Sequence, residues 1–384
     1  MTDQLHKGLE GILVAESSLS YIDGDAGKLV YRGYDIEDLA REATFEEVLY
    51  LLWHRELPTR AVLEHFNDAM TTDRAVSGDV LGTARELADA GEEPMAALRT
   101  LASMLSASDP DPAESTDRVV AIRQGRRLTA KIPTVLAAYD RCRRGEEPLE
   151  PREDLGHAAN FLYMLTGEEP DPVAAETFDM ALTLHADHGL NASTFTAMVI
   201  ASTLADAYSA TVGGIGALSG PLHGGANQDV MEMFLEIDES GEDPVEWVER
   251  AREQRRDWRV PGMGHRVYNV KDPRAVILEE RSRELAEETG EAKWYEYATA
   301  IERHFREDEG LTAKGIAPNV DFYSGTVYYQ LGIPIDMYTP IFAMSRVGGW
   351  IGHVLEYQSD NRLIRPRARY VGETDREFVP IEER

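Results

Sequence analysis

Along most of the chain the apolar residues recur three or four apart, which is the period of an amphipathic helix. Thr44 and Glu47 form a capping box ahead of Val48, Leu51 and Leu52. Asp243-Pro244 precedes VEWVERA, and Asp272-Pro273 precedes RAVILEERSRELAEE, with Gly290 as a stop. The opening GILVAESSLSYIDGDAGKLVYRGYD differs, because β-branched and aromatic residues around Asp23-Gly24 and Gly27 predict one or two short strands. The expected fold is therefore all-α with a small N-terminal β ornament. Residues 108–117, 144–154 and 236–244 are rich in Pro, Asp and Glu and are expected as loops. From 176 to 222 the chain is poor in charge and rich in Ala, Ser, Thr and Gly, as expected of helices packed on all sides. His185, Asp187, His188 and His223, in and just after that stretch, need another explanation.

Charge changes this picture. The 384 residues carry 39 Lys+Arg against 69 Asp+Glu, a formal net charge of −30, which argues against nucleic acid or an anionic membrane as a partner. Only six of the basic residues are Lys. Few Lys among many carboxylates points to a salt-rich cytoplasm, where screening lets a carboxylate surface stay solvated. The length points to about two domains at ~150 residues each. Cys142 is the single cysteine, so neither an intramolecular disulfide nor a Cys-based zinc site is available. The N-terminus has no apolar core of signal-peptide length, and no apolar run approaches the ~18 residues of a membrane span, so a soluble cytoplasmic protein is expected.

Three of the ten histidines stand in contexts that packing explains poorly: His188 in HADHGLN, His223 in SGPLHGGANQ and His265 in VPGMGHRVYNVKDPR. Glycine beside a histidine gives up local stability and permits close backbone approach to a ligand. His188 reads equally well as a buried histidine bonded to a carbonyl. His223 stands before a helix start, where the dipole favours a neutral ring able to donate to an oxyanion. Asp272 reads as a helix N-cap, Pro273 as N1 and Arg274 as N2. Arg274 beside free amides makes an anion site, with a solvated surface Arg as the alternative. Asp321, between Val320 and Phe322, is either a base of raised pKa or a helix cap. Arg346 and the acid-free cluster Arg362, Arg365, Arg367 and Arg369 add cations that suit a small polyanion. A metal held by His185, Asp187 and His188 is a further alternative, although HExxH is absent. Gly262-x-Gly264 lacks the dinucleotide fingerprint, and neither a P-loop nor a GxSxG elbow occurs.

The ordered motifs PLHGGANQ, GMGHRVY followed by DPR, PNVDFYSG, SR and RPR resemble the citrate synthase family, in its short bacterial and archaeal form and in a version suited to a halophile. The resemblance begins at GLEGILVAES and covers nearly the whole chain. It implies a helical homodimer, with a large domain of residues 1–222 and 331–384 and an inserted small domain, 223–330, that closes over substrate. It implies condensation of acetyl-CoA with oxaloacetate and water to give citrate and CoA, the entry step of the citric acid cycle, with no metal and no permanently bound cofactor. Asp321 would be the base, His223 the donor to the thioester oxygen and His265 the donor to the oxaloacetate carbonyl. Oxaloacetate would also meet His188, Arg274 and Arg346, and Arg365 from the partner subunit. CoA would lie along Arg259, Val260, Pro261, Gly262 and Met263, with Lys314, Lys271 and Arg367 as candidates for its phosphates. Met263 stands where the family usually has an aromatic residue. A 2-methylcitrate synthase using propionyl-CoA is the nearest rival, since one methylene is worth only about 1–3 kcal/mol in an apolar pocket. A non-catalytic acyl-CoA or carboxylate sensor is the more distant one.

Overall fold

The computed structural model describes residues 5–112, 117–255 and 258–384. The chain opens with a three-stranded antiparallel sheet, β1 (Ser20–Asp23), β2 (Lys28–Tyr31) and β3 (Tyr34–Asp35). Ser20 pairs with Tyr31 and Asp23 with Lys28 across the first hairpin. Helices follow: α1 (Ile36–Glu42), α2 (Phe45–His54), α3 (Arg60–Thr72), α4 (Gly78–Asp89), α5 (Pro94–Met104), α6 (Arg118–Arg143), α7 (His157–Thr166) and α8 (Pro172–His185). After them come α9 (Ala192–Ala201), α10 (Ala207–Leu218), α11 (Ala226–Ser240), α12 (Pro244–Gln254), α13 (Pro273–Thr289), α14 (Lys293–Glu307), α15 (Glu309–Thr312), α16 (Val320–Gln330) and α17 (Tyr338–Ser359).

The expected starts are found. Thr44 caps α2 by accepting from the Glu47 amide, Asp243 caps α12, and Asp272 caps α13 with Pro273 at N1. Gly290, at φ 74°, ends α13 in the left-handed conformation that glycine adopts freely. Three expectations change. The ornament has three strands, the last being a two-residue return. Residues 236–240 are not a loop. Despite its acids, EIDES continues α11, because Ile237 extends the buried stripe of Val230, Met233 and Phe234, and the helix stops only at Gly241. Finally, α8 is buried from Met180 to His185, but α9 and α10 are not packed on all sides: Phe195, Val199, Ile200 and Val212 are only half-buried. Of the expected loop 108–117, residues 113–116 lie outside the described residues.

Two groups of helices organise the molecule. α17 is buried from Tyr338 to Leu355 and packs against α2, α6, α8, α9 and α10. In the second group α16 packs on α11, α13 and α14, and α12 packs on α14. The chain passes into the second group through residues 219–225 and leaves it through residues 331–337. Thr339 Oγ1, in the first turn of α17, donates to the Gly224 carbonyl at 3.1 Å and so ties the first crossing to the helix that follows the second.

Candidate active site

Two arginines form the centre of the site. Arg346 is 1% exposed on α17 and takes part in none of the ion pairs found among the described residues. Its Nε donates to the His185 carbonyl at 2.7 Å, and its guanidinium lies 4.5 Å from the centre of the Phe342 ring. Burial pulls its pKa down to about 10, against the pull of Asp187. Arg274 is 2% exposed at N2 of α13. Its Nε and Nη2 donate to the two oxygens of Asp272 at 3.0 and 2.7 Å, so the cap that starts the helix also aims the guanidinium. Burial opposes that charge, yet Asp272 overrides it and holds the pKa above the ordinary value.

The histidines lie in the field of these two cations. His223 has its pKa lowered to about 4 by burial and then by Arg346. His265 is lowered to about 4 by burial and then by Arg274. His188 is lowered well below its ordinary value by burial, Arg274, His265 and Arg346. The His188 and His265 rings meet edge to face, 5.2 Å between centres, and His188 Nε2 lies 3.1 Å from the Tyr268 hydroxyl.

Backbone amides set which nitrogen of each ring carries the proton. The Ser193 N–H, one of the first-turn amides of α9 that no intrahelical carbonyl can satisfy, donates to His223 Nε2 at 3.2 Å, with Ser193 Oγ at 2.9 Å from the same atom. The neutral ring therefore holds its proton on Nδ1, free to donate. His265 is the opposite: its Nδ1 accepts from the Val267 and Tyr268 amides at 3.0 and 3.2 Å, leaving Nε2–H free.

Asp321 is half-buried at N2 of α16. The cap of that helix is Asn319, which accepts from the Asp321 amide at 2.9 Å, so Asp321 is not itself the cap. Burial raises its pKa to about 6; Arg274 and Arg346 oppose this, while Asp272 and Asp229 add to it. A strap sets its position. Asn319 N donates to Gly262 O at 2.9 Å, Asn319 Nδ2 to Gly264 O at 2.8 Å, and Gly264 N to Ala317 O at 2.8 Å. Gly262, at φ 70°, lets this loop press on α16, where a Cβ would stand 2.8 Å from the Phe322 backbone. Val260 is buried, Pro261 and Met263 are half-buried, and Arg259 is exposed.

His188, His223, His265, Arg274, Arg346 and Asp321 are thus gathered around one pair of guanidiniums. Arg365, Arg367 and Lys314 are exposed, the first two on the tail after α17. Lys271 is paired with Glu279 and Glu302. His185 and Asp187, considered as metal ligands with His188, face other partners. His185 Nδ1 bonds the Ala181 carbonyl, and Asp187 accepts from Ser20 Oγ at 2.6 Å, Gly189 N at 3.0 Å and His353 Nε2 at 3.1 Å. Sequence reasoning passed over Ser193, Asp272 as a partner of Arg274, and His353. Only the Asp-Pro-Arg spacing gave a sign of any of these.

Two neutral donors, a carboxyl group poised near neutrality and two buried cations can stabilise an enol beside an anionic oxoacid. The chain belongs to the citrate synthase family: the family model described as the citrate synthase C-terminal domain matches residues 8–367. It is 62% identical to the citrate synthase of Haloferax volcanii over the full length of both chains. The citrate synthase structure from Pyrobaculum aerophilum superposes with a TM-score of 0.92 at 44% identity, covering 98% of this chain and 95% of that one. The Thermoplasma acidophilum enzyme, solved as a ternary complex with carboxymethyl coenzyme A and oxaloacetate, gives 0.90 at 33% identity over the full length of both. A 2-methylcitrate synthase from Corynebacterium glutamicum is more distant, at 40% identity over 99% of each chain.

Proposed function

We propose that this member of the citrate synthase family condenses acetyl-CoA with oxaloacetate and water to give citrate and CoA. The observation that carries the mechanism is the pair of opposed tautomers at His223 and His265. Oxaloacetate carboxylates lie against Arg274, Arg346 and His188, and His265 Nε2–H donates to the oxaloacetate carbonyl oxygen. Asp321 takes a proton from the acetyl methyl group while His223 Nδ1–H donates to the thioester oxygen, giving the enol. The methyl carbon then bonds to the oxaloacetate carbonyl carbon as the enol proton returns to His223 Nδ1, and the former carbonyl oxygen takes the His265 Nε2 proton, which solvent replaces. Water cleaves the resulting citryl thioester into citrate and free CoA. Both rings are neutral down to about pH 4, so at neutral pH each donates from its one N–H as an imidazole, a weaker acid than an imidazolium and closer in proton affinity to the enol and alkoxide it stabilises.

In this proposal residues 223–330 form the small domain, the two crossings are its hinges, and closure completes a dry acetyl-CoA site. CoA lies along residues 259–263, with Lys314 and Arg367 near its phosphates; Lys271 is engaged by its two glutamates and contributes less. The half-buried faces of α9 and α10 and the exposed tail support a homodimer in which Arg365 reaches the partner's oxaloacetate. No metal enters the mechanism. Steady-state kcat/KM for acetyl-CoA and propionyl-CoA, measured on purified protein in high salt, tests the substrate. Acetyl-CoA is expected to be preferred, and a clear preference for propionyl-CoA would make the enzyme a 2-methylcitrate synthase.

A further inference from the structure

We propose that the N-terminal β-hairpin is a positioning element of the active site, a latch whose strands hold the loop of His188 and whose tip grips the loop of His265. This rests on the reading of 223–330 as the closing unit. The hairpin is fixed at its root by Arg32, whose Nη1 donates to Glu356 at the end of α17 at 2.8 Å, and Glu356 also accepts from the Ser17 and Ser18 hydroxyls at 2.5 and 2.7 Å. Along its strands, Ser20 Oγ donates to Asp187 at 2.6 Å. The Tyr31 hydroxyl bridges the Asp187 backbone, donating to its carbonyl at 2.7 Å and accepting from its amide at 3.1 Å. α17 holds the same segment from the other side, with Gly349 N on the Ala186 carbonyl at 3.0 Å and His353 on the Asp187 carboxylate. The residue between Asp187 and Gly189 is His188, so its backbone has little freedom.

The tip reaches across to the second helix group. Asn269 N donates to the Gly24 carbonyl at 3.0 Å, and Asn269 Nδ2 donates to Asp25 Oδ1 at 2.7 Å. Contact is so close that a Cβ on Gly24 would lie 1.9 Å from the Val267 carbonyl oxygen, and one on Gly27 would lie 2.9 Å from the Val270 side chain. Val267 and Tyr268 are the residues whose amides fix His265. One small sheet thus spans the two histidines that flank oxaloacetate in the proposed mechanism, and the latch engages where the closing unit meets the rest of the molecule.

The test uses the full-length protein in high salt, with Asn269→Ala, Asp25→Ala, their double variant and Gly24→Ala, and with Lys28→Ala as a control elsewhere on the hairpin. Each single latch variant should raise KM for oxaloacetate about fivefold to tenfold with kcat within about twofold, and the double variant should add little to either. Gly24→Ala should raise it further while still melting cooperatively, and Lys28→Ala should leave it unchanged. Unchanged KM in Asn269→Ala and Asp25→Ala, or effects that simply multiply in the double variant, would overturn the latch. X-ray scattering with and without oxaloacetate separates the two readings. If the wild type does not contract, the closing-unit reading fails and the KM series still decides the latch. If the wild type contracts and the latch variants contract equally at the same oxaloacetate concentration, the latch is wrong.

Discussion

A buried carboxyl held near neutrality should weaken the fold by an amount that its raised pKa sets. Burial lifts the Asp321 pKa from 3.8 to about 6, and at 1.36 kcal/mol for each tenfold change in proton affinity that corresponds to about 3 kcal/mol. Below pH 3.8 the carboxyl is protonated in the folded and unfolded chain alike and costs nothing. Between there and pH 6 the unfolded chain releases the proton while the folded chain keeps it, so stability falls as pH rises, and the full cost is present above pH 6. Asp321→Asn removes the charge but leaves a polar amide in the same half-buried place. It should therefore stabilise the protein by about 1–3 kcal/mol at pH 8 and by close to zero at pH 4. Guanidinium chloride unfolding of both proteins, at matched protein concentration and at the two pH values, measures this. The surface carboxylates titrate equally in both and cancel. A variant no more stable than the wild type at pH 8, or stabilised equally at pH 4, would refute the reasoning that burial raises this carboxyl.

If Asp321 is the base, the same titration should govern the rate. kcat/KM for acetyl-CoA should fall tenfold per pH unit below about pH 6, as Asp321 gains a proton. His223 and His265 stay neutral down to about pH 4, so a limb near 4 would assign the rate to them instead. Arg346→Leu should keep or raise the melting temperature, because it removes a buried cation that makes no ion pair among the described residues, and it should weaken oxaloacetate binding at least about a hundredfold; calorimetry reads both. Mixing inactive Arg365→Ala and Asp321→Asn proteins under conditions of subunit exchange should restore about a quarter of wild-type activity, since half the dimers would be mixed and each of those would have one intact site. No restoration would place Arg365 in its own subunit's site.

What was legible in the sequence had a local cause. The caps at Thr44, Asp243 and Asp272 and the stop at Gly290 depend on residues within one turn, and they fall where expected. The glycines beside His223 and His265 marked the site because the chain turns there: Gly224 and Gly264 adopt φ 98° and 86°, in the region that favours glycine. Asp321 was open between base and cap until Asn319 took the cap. Relations across long stretches of chain were not legible. Ser193 sits 30 residues from His223, and what it offers is mainly a backbone amide, which no side chain announces. The acids of EIDES hid the buried Ile237 that keeps α11 going. The small residues of α9 and α10 read as interior, yet Phe195, Val199, Ile200 and Val212 are only half-buried, a surface that the proposed homodimer would cover, and composition alone does not separate such an interface from a core. The sheet looked ornamental because its contacts, to Asp187 and Asn269, lie far along the chain.

If Asp321 is the base beside an oxaloacetate site that does not need it, removing its charge should separate turnover from oxaloacetate binding. The most direct measurement is kcat for citrate formation together with the dissociation constant for oxaloacetate, in the wild type and in Asp321→Asn. A loss of at least about a thousandfold in kcat is expected, with oxaloacetate binding within about threefold of the wild type. Turnover retained in the variant, or turnover and oxaloacetate binding lost together, would contradict it.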